Sequence, residues 1–133
     1  MILLDTHVLV WFREGSRALG RKARRIIERE GQLDQLRFSA ISFYEIGLHV
    51  ANARLKLDEP PGSWHEHAVH EGIRELVVTS AIAVRASELG GMPGDPFDRI
   101  ISATAIVYGI PLVTADAAML DWRGDMRRID ARA

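Results

Sequence analysis

The 133-residue chain contains no cysteine. That absence removes disulfides, thiolate zinc sites and cysteine nucleophiles together. It leaves a reducing compartment compatible, and the cytoplasm is the expected location. Long apolar runs are also missing. The opening stretch from Met1 is interrupted by Asp5, is too short for a membrane span and has no basic leader. Lysine is scarce, with only Lys22 and Lys56, so arginine carries the positive charge. Neither sign dominates: a formal net charge of −1 argues against nonspecific polyanion binding by the whole surface. Repeats and low-complexity segments are absent. What remains is 47% hydrophobic and 26% charged, an ordinary globular balance. At this length it fits one domain, residues 1–133, with a core that needs no staples.

Apolar periodicity and breakers divide the chain into alternating strands and helices. Met1 to Leu4 reads as a buried strand ending at Asp5, and Thr6 to Phe12 as a short helix broken at Gly15-Ser16. Ser16 is the expected N-cap of a basic helix running to about Glu30. Leu36 to Ala40 is a second strand, followed by a helix from Ser42. Pro60-Pro61-Gly62 is a break before a helix from Ser63 to about Gly72. Glu75 to Thr79 is expected as a third strand, with a helix over Ser80 to Leu89. A flexible loop, Gly90 to Gly94, leads into a helix from Pro96 to about Tyr108, and Pro111 to Thr114 forms a fourth strand. This alternation predicts an α/β domain with a central, mostly parallel sheet of four to five strands. In such a sheet, ligands bind outside the carboxyl ends of the strands.

Four acids fall at that edge. Asp5 follows the first strand and Asp116 the last, while Glu45 and Asp98 lie in early helical turns beside strand ends. Converging carboxylates repel each other unless a cation compensates, and a hard divalent ion is the economical counter-charge. Each acid also has a purely structural reading. Ser42 to Glu45 fits a capping box. Asp95-Pro96-Phe97-Asp98 fits an N-cap aspartate, a proline at the first helical position and an acid one turn in. Capping is so common that any one acid would be unremarkable, and only the joint placement of four carries weight.

The stretches LLDTHVLVW (3–11), SAISFYEIG (39–47), GDPFDRIISATA (94–105) and PLVTAD (111–116) resemble, in order, those of the PIN-domain nucleases. Within that family they are similar to the VapC-type toxins of toxin–antitoxin pairs. The resemblance implies a three-layer α/β/α fold and an Mg²⁺- or Mn²⁺-dependent endoribonuclease of the cytoplasm. It carries Asp5, Glu45, Asp98 and Asp116 onto the family's acidic quartet. Asp5, Asp98 and Asp116 are then the expected metal ligands, with Glu45 a further ligand or the base. Thr114 and Thr6 take supporting positions, as does Asp95 by its place next to the site. A metal-activated water would attack the scissile phosphorus in line. The resemblance also implies an RNA substrate, a VapB-type antitoxin partner and a homodimer. The antitoxin would lie along an apolar groove, for which Trp11, Phe12, Tyr44 and Ile46 are candidates.

Other features are weaker. Arg99 stands beside Asp98 and is a candidate phosphate contact or, equally, a structural arginine. Arg21, Arg24 and Arg25 form a basic stretch better read as a solvated helix face. His65, His67 and His70 lack zinc-like spacing and companions. An aspartate-nucleophile phosphatase would need a second Asp where His7 stands, and a receiver domain would need a lysine after a late strand. A housekeeping nuclease of RNA processing, or a non-catalytic binding module, are the remaining rivals.

Overall fold

The computed structural model describes residues 1–133. Its elements in chain order are β1 (Ile2–Leu4), α1 (Thr6–Glu14), α2 (Arg21–Gln32), β2 (Leu36–Ser39), α3 (Ala40–Ala51), α4 (Pro61–His70), β3 (Arg74–Leu76), α5 (Ser80–Ser87), α6 (Pro96–Tyr108), β4 (Leu112–Thr114), α7 (Ala117–Asp121) and β5 (Arg128–Asp130). The five strands form one sheet in the order β3-β2-β1-β4-β5, and every pairing is parallel. β1 therefore lies at the centre, and its sequence is apolar throughout because both of its faces are covered.

Strand alternation separates the two faces. Ile2 and Leu4 of β1, with Val113 of β4, pack into a cluster that includes Val8, Ile27, Phe38, Ile46 and Trp64. Leu3 and Leu112, pointing the other way, meet Ile101, Ala105 and Met119. Helices α1 to α4 thus cover one face, and α6 and α7 the other, which makes the three-layer α/β/α arrangement. α5 packs on α6 through Ile82, Ala86 and Ala103.

Several expected boundaries move, each for a local reason. The second helix begins at Arg21 rather than at Ser16, because the Ser16 hydroxyl closes a turn by accepting the Ala18 amide at 3.1 Å. Leu19 plugs the core and Gly20 becomes the N-cap. A side chain at Gly20 would collide with the carbonyl of Ala133, 2.0 Å from an ideal Cβ. α3 begins at Ala40 with Ser39 as its cap, the Ser39 hydroxyl accepting the Ile41 amide. Ser42 is therefore inside the helix and fully buried, and the expected capping box to Glu45 does not form. β3 ends at Leu76; Val77 and Val78 are exposed, and Thr79 turns the chain to cap α5. α7 (5 residues) and β5 (3 residues) are not among the elements expected from the sequence.

Candidate active site

Because all strands run the same way, their carboxyl ends share one edge of the sheet, and the acids gather there. Asp5 leaves β1 and becomes the N-cap of α1, its Oδ1 accepting the Thr6 amide at 2.8 Å. Its other oxygen, Oδ2, accepts the Thr114 hydroxyl at 2.6 Å. Asp5 is 1% exposed, the most buried acid in the chain. Asp116 leaves β4 and caps α7 by accepting the Met119 amide at 3.1 Å. Its own backbone amide donates to Thr114 Oγ1, also at 3.1 Å. Thr6 reaches across to α3, where its hydroxyl bonds Ser42 Oγ at 2.9 Å. That bond brings the α3 face carrying Glu45 against α1.

The two aspartates of the DPFD stretch are separated by position. Asp95 is the N-cap of α6, and one of its oxygens accepts the amides of both Phe97 (2.8 Å) and Asp98 (3.1 Å). Asp98 caps nothing and stands free in the first turn. Four residues on, and so on the same face of α6, Ser102 is fully buried with a hydroxyl that has no partner.

Electrostatics shows that these groups share one basin. Burial, and then the charges of Asp5, Asp95, Asp116 and Glu45, push Asp98 up to about 8. Burial also raises Asp5, with Asp116 adding to the rise and the His7 imidazole, Thr114 and the Thr6 amide opposing it. Glu45 is raised by burial too, then by Asp5 and Asp95, against the Thr6 hydroxyl and His49. Five carboxylates thus crowd together, and no lysine or arginine is paired with any of them. Arg99 in particular turns away. Its guanidinium donates to the carbonyls of Ala86 (3.0 Å), Met92 (2.9 Å) and Ser87 (3.4 Å), clamping the loop before α6 onto α5. The candidate phosphate contact is thereby a structural arginine, committed to backbone acceptors.

The donor set is all oxygen and strongly negative, the chemistry of a hard divalent cation. The side chains do not close on a single point as a cage; they surround an open basin. Magnesium-like ions dehydrate reluctantly and keep several waters, so a basin offering a few carboxylates suits them. The residues present therefore fit Mg²⁺ or Mn²⁺.

Two histidines at the site escaped sequence reading. His7 Nδ1 lies 3.6 Å from Asp5 Oδ2, and its Nε2 faces the Ala115 amide at 3.4 Å. His49 Nε2 lies 3.6 Å from Glu45 Oε2. The spacing of Glu45 and His49 was legible, since i and i+4 share a helix face. The approach of His7 to β4 was not, because it depends on strands far apart in sequence. The three histidines of α4 go elsewhere: His65 packs edge-on against Phe43 at 4.7 Å and His67 meets Glu59 at 2.7 Å. Of the groove candidates, Tyr44 is exposed and Trp11 and Phe12 are half-buried, but Ile46 is fully buried in the core and cannot line a groove.

Comparison with known proteins bears on the fold and the family. The family model described as PIN domain matches residues 2–123. Over 123 residues, 92% of each chain, the sequence is 36% identical to Ribonuclease VapC22 of Mycobacterium tuberculosis. Among solved structures, VapBC2 of Rickettsia felis bound to a promoter DNA fragment aligns with a TM-score of 0.72 at 17% identity, covering 97% of this chain and 98% of that one. FitAcB of Neisseria gonorrhoeae aligns with a TM-score of 0.65 at 21% identity, covering 98% of both. At these identities the two structures speak for the fold, while the family model and the mycobacterial relative speak for descent. The chain belongs to the PIN domain family, in its VapC-type branch.

Proposed function

We propose that the protein is a divalent-metal-dependent endoribonuclease and the toxin of a VapBC-type toxin–antitoxin pair. The observation that carries this reading is the crowding of Asp5, Glu45, Asp95 and Asp116 around Asp98 without a paired arginine or lysine. Such a cluster is costly to an apo protein and useful to a phosphodiesterase, because it needs the cation that the chemistry needs. The VapC22 relative supplies the substrate class.

Asp5, Asp98 and Asp116 are the residues that would hold Mg²⁺ or Mn²⁺. When bound, the ion neutralises charge on the phosphoryl oxygens and makes water more acidic. Around it, the chain's own groups have separate tasks. Thr114 fixes one oxygen of Asp5 and the Thr6 amide fixes the other, so that the carboxylate cannot swing. Glu45, held above the ordinary carboxylate range, is the group to accept the proton of the attacking water. Attack in line then breaks the bond from phosphorus to the 3′-oxygen.

The partners follow from the same family reading: a VapB-type antitoxin and a second copy of this chain. Tyr44, 61% exposed on α3 and edge-on to Phe97 at 5.7 Å, offers apolar surface next to the basin.

The test is an RNase assay on the purified protein with Mg²⁺ or Mn²⁺, with EDTA, and with Asp5→Asn. Cleavage that requires the ion and disappears in the variant is expected. Cleavage that persists in EDTA, or survives Asp5→Asn at the full rate, overturns the reading.

A further inference from the structure

Beside the acidic basin lies a cavity of about 270 Å³ between α1 and α3. Thr6 and Glu45 belong to both, so whatever fills the cavity lies next to a phosphodiester held at the carboxylates. Ligand pockets usually span roughly 300–1,000 Å³, and this one therefore suits a single flat ring system better than an extended ligand. Trp11 and Leu55 supply apolar wall, and His7 stands edge-on to Trp11 with ring centroids 5.0 Å apart.

Val10, His49 and Arg54 complete the wall, and the placement of Arg54 is specific. Helix α3 ends in a reversal in which the Ala53 amide bonds the Val50 carbonyl (3.2 Å) and the Arg54 amide bonds the His49 carbonyl (2.8 Å). Such a reversal requires a left-handed residue, normally glycine. Here it is Ala53, at φ +56°, a strained choice for a side chain bearing a Cβ. Strain of this kind clusters at working surfaces, where the surrounding structure holds it. The turn delivers Arg54 and Leu55 back to the cavity. Arg13, Arg74, Arg99 and Arg128 have their guanidiniums tied to protein acceptors, whereas Arg54 is exposed and has no such bond.

A nucleic-acid backbone approaching five carboxylates is repelled, and a free guanidinium beside them offers it a bidentate, permanently charged contact. Single-stranded RNA also carries unstacked bases that aromatic side chains can receive. We infer that this cavity is a nucleotide subsite: it takes the base next to the scissile phosphate against Trp11 and Leu55, and Arg54 binds the adjoining non-scissile phosphate. This rests on the ribonuclease reading above. It makes Arg54 a positioning residue, outside the hydrolytic chemistry.

The experiment uses short labelled single-stranded RNA of mixed sequence and bis(p-nitrophenyl) phosphate, a diester with no base or second phosphate. Wild type, Arg54→Ala and Arg54→Lys are compared in three assays: RNA binding by fluorescence anisotropy in EDTA, RNA cleavage with Mn²⁺, and hydrolysis of the small diester. Arg54→Ala is expected to weaken RNA binding and kcat/KM for RNA by about tenfold or more, the size of one lost charge-assisted hydrogen bond. Hydrolysis of the small diester should be unchanged, and Arg54→Lys should recover part of the loss. Equal RNA binding and cleavage by wild type and Arg54→Ala overturns the subsite while the ribonuclease reading stands. If Arg54→Ala instead weakens only the binding of a co-expressed antitoxin, the cavity is a protein-docking site and the inference is wrong. Failure of the wild type to cut any RNA removes the ribonuclease reading, and the subsite with it.

Discussion

The hydroxyl of Thr114 donates to Asp5 Oδ2 at 2.6 Å, joining the end of β4 to the end of β1 across 109 positions of sequence. The same oxygen accepts the Asp116 amide, so its one proton is directed at Asp5. Thr114→Val keeps the shape and removes the donor. A hydrogen bond to a charged acceptor contributes about 1.5–3 kcal/mol, and its loss leaves this buried carboxylate oxygen with only the longer His7 Nδ1 contact at 3.6 Å. Chemical denaturation should show a loss of that order, together with reduced RNA cleavage. A variant of unchanged stability and full activity would show that Asp5 does not depend on this bond.

Asp98 ionises less readily folded than unfolded, and so does Asp5. A raised carboxyl favours the fold fully below its unfolded value, and that advantage drains away as pH climbs through its folded value. For Asp98 the window runs from 3.8 up to about 8. In EDTA the melting temperature is expected to fall across this window, and Asp98→Asn to soften the fall. Mg²⁺ or Mn²⁺ should raise the melting temperature more at the alkaline end than at the acid end, because ligands must be deprotonated. Thermal scans with and without the ion measure this. A melting temperature flat with pH would contradict the crowding.

Asp95 and Asp98, three residues apart, should fail in opposite ways. Asp95→Ala removes the acceptor of two amides at the start of α6. The expected cost is about 1 kcal/mol of stability, typical for a lost cap, with most of the activity retained. Asp98→Ala removes no hydrogen bond and relieves repulsion, so it should abolish cleavage without destabilising the apo protein. Paired melting and activity measurements decide. Loss of stability in both variants, with activity tracking it, would make Asp98 a structural acid.

Arg99→Ala is expected to unfasten the loop before α6, since the guanidinium holds the carbonyls of Ala86, Ser87 and Met92. We expect a loss of about 1 kcal/mol, since the carbonyls of Ala86 and Met92 are only partly buried and that of Ser87 is exposed. RNA affinity of the folded fraction should stay near wild type. Fluorescence anisotropy below the unfolding transition checks this. A large drop in affinity at unchanged stability would return Arg99 to the phosphate-binding role that its neighbourhood with Asp98 suggested.

The alternation of short apolar strands with helices, the breakers at Gly15, Pro60 and Gly90, and the PIN-like motifs were all legible in the chain, because they are local. Period, capping chemistry and motif order do not depend on what packs where. Boundaries were less legible wherever two hydroxyls competed for one cap. Ser39 won over Ser42 because Ser42 is drawn into the core to bond Thr6, a contact between segments 36 residues apart. Ile46 shows the same limit: its helical position suggested a groove, and packing against β1 and β2 buried it.

By itself the sequence determined an α/β fold with acids at its strand ends, since the alternation of strands and helix starts follows from local pattern. Tertiary structure alone decided what those acids do to each other. Burial and the charges of four other carboxylates raise Asp98 to about 8, and they do so only because an all-parallel sheet puts the ends of β1, β2 and β4 side by side. It also decided which cations are absent from the basin, turning Arg99 inward to the backbone and leaving Arg54 free at the rim of the neighbouring cavity. Charge interactions of this strength depend on distance and desolvation, and neither is written in the order of residues.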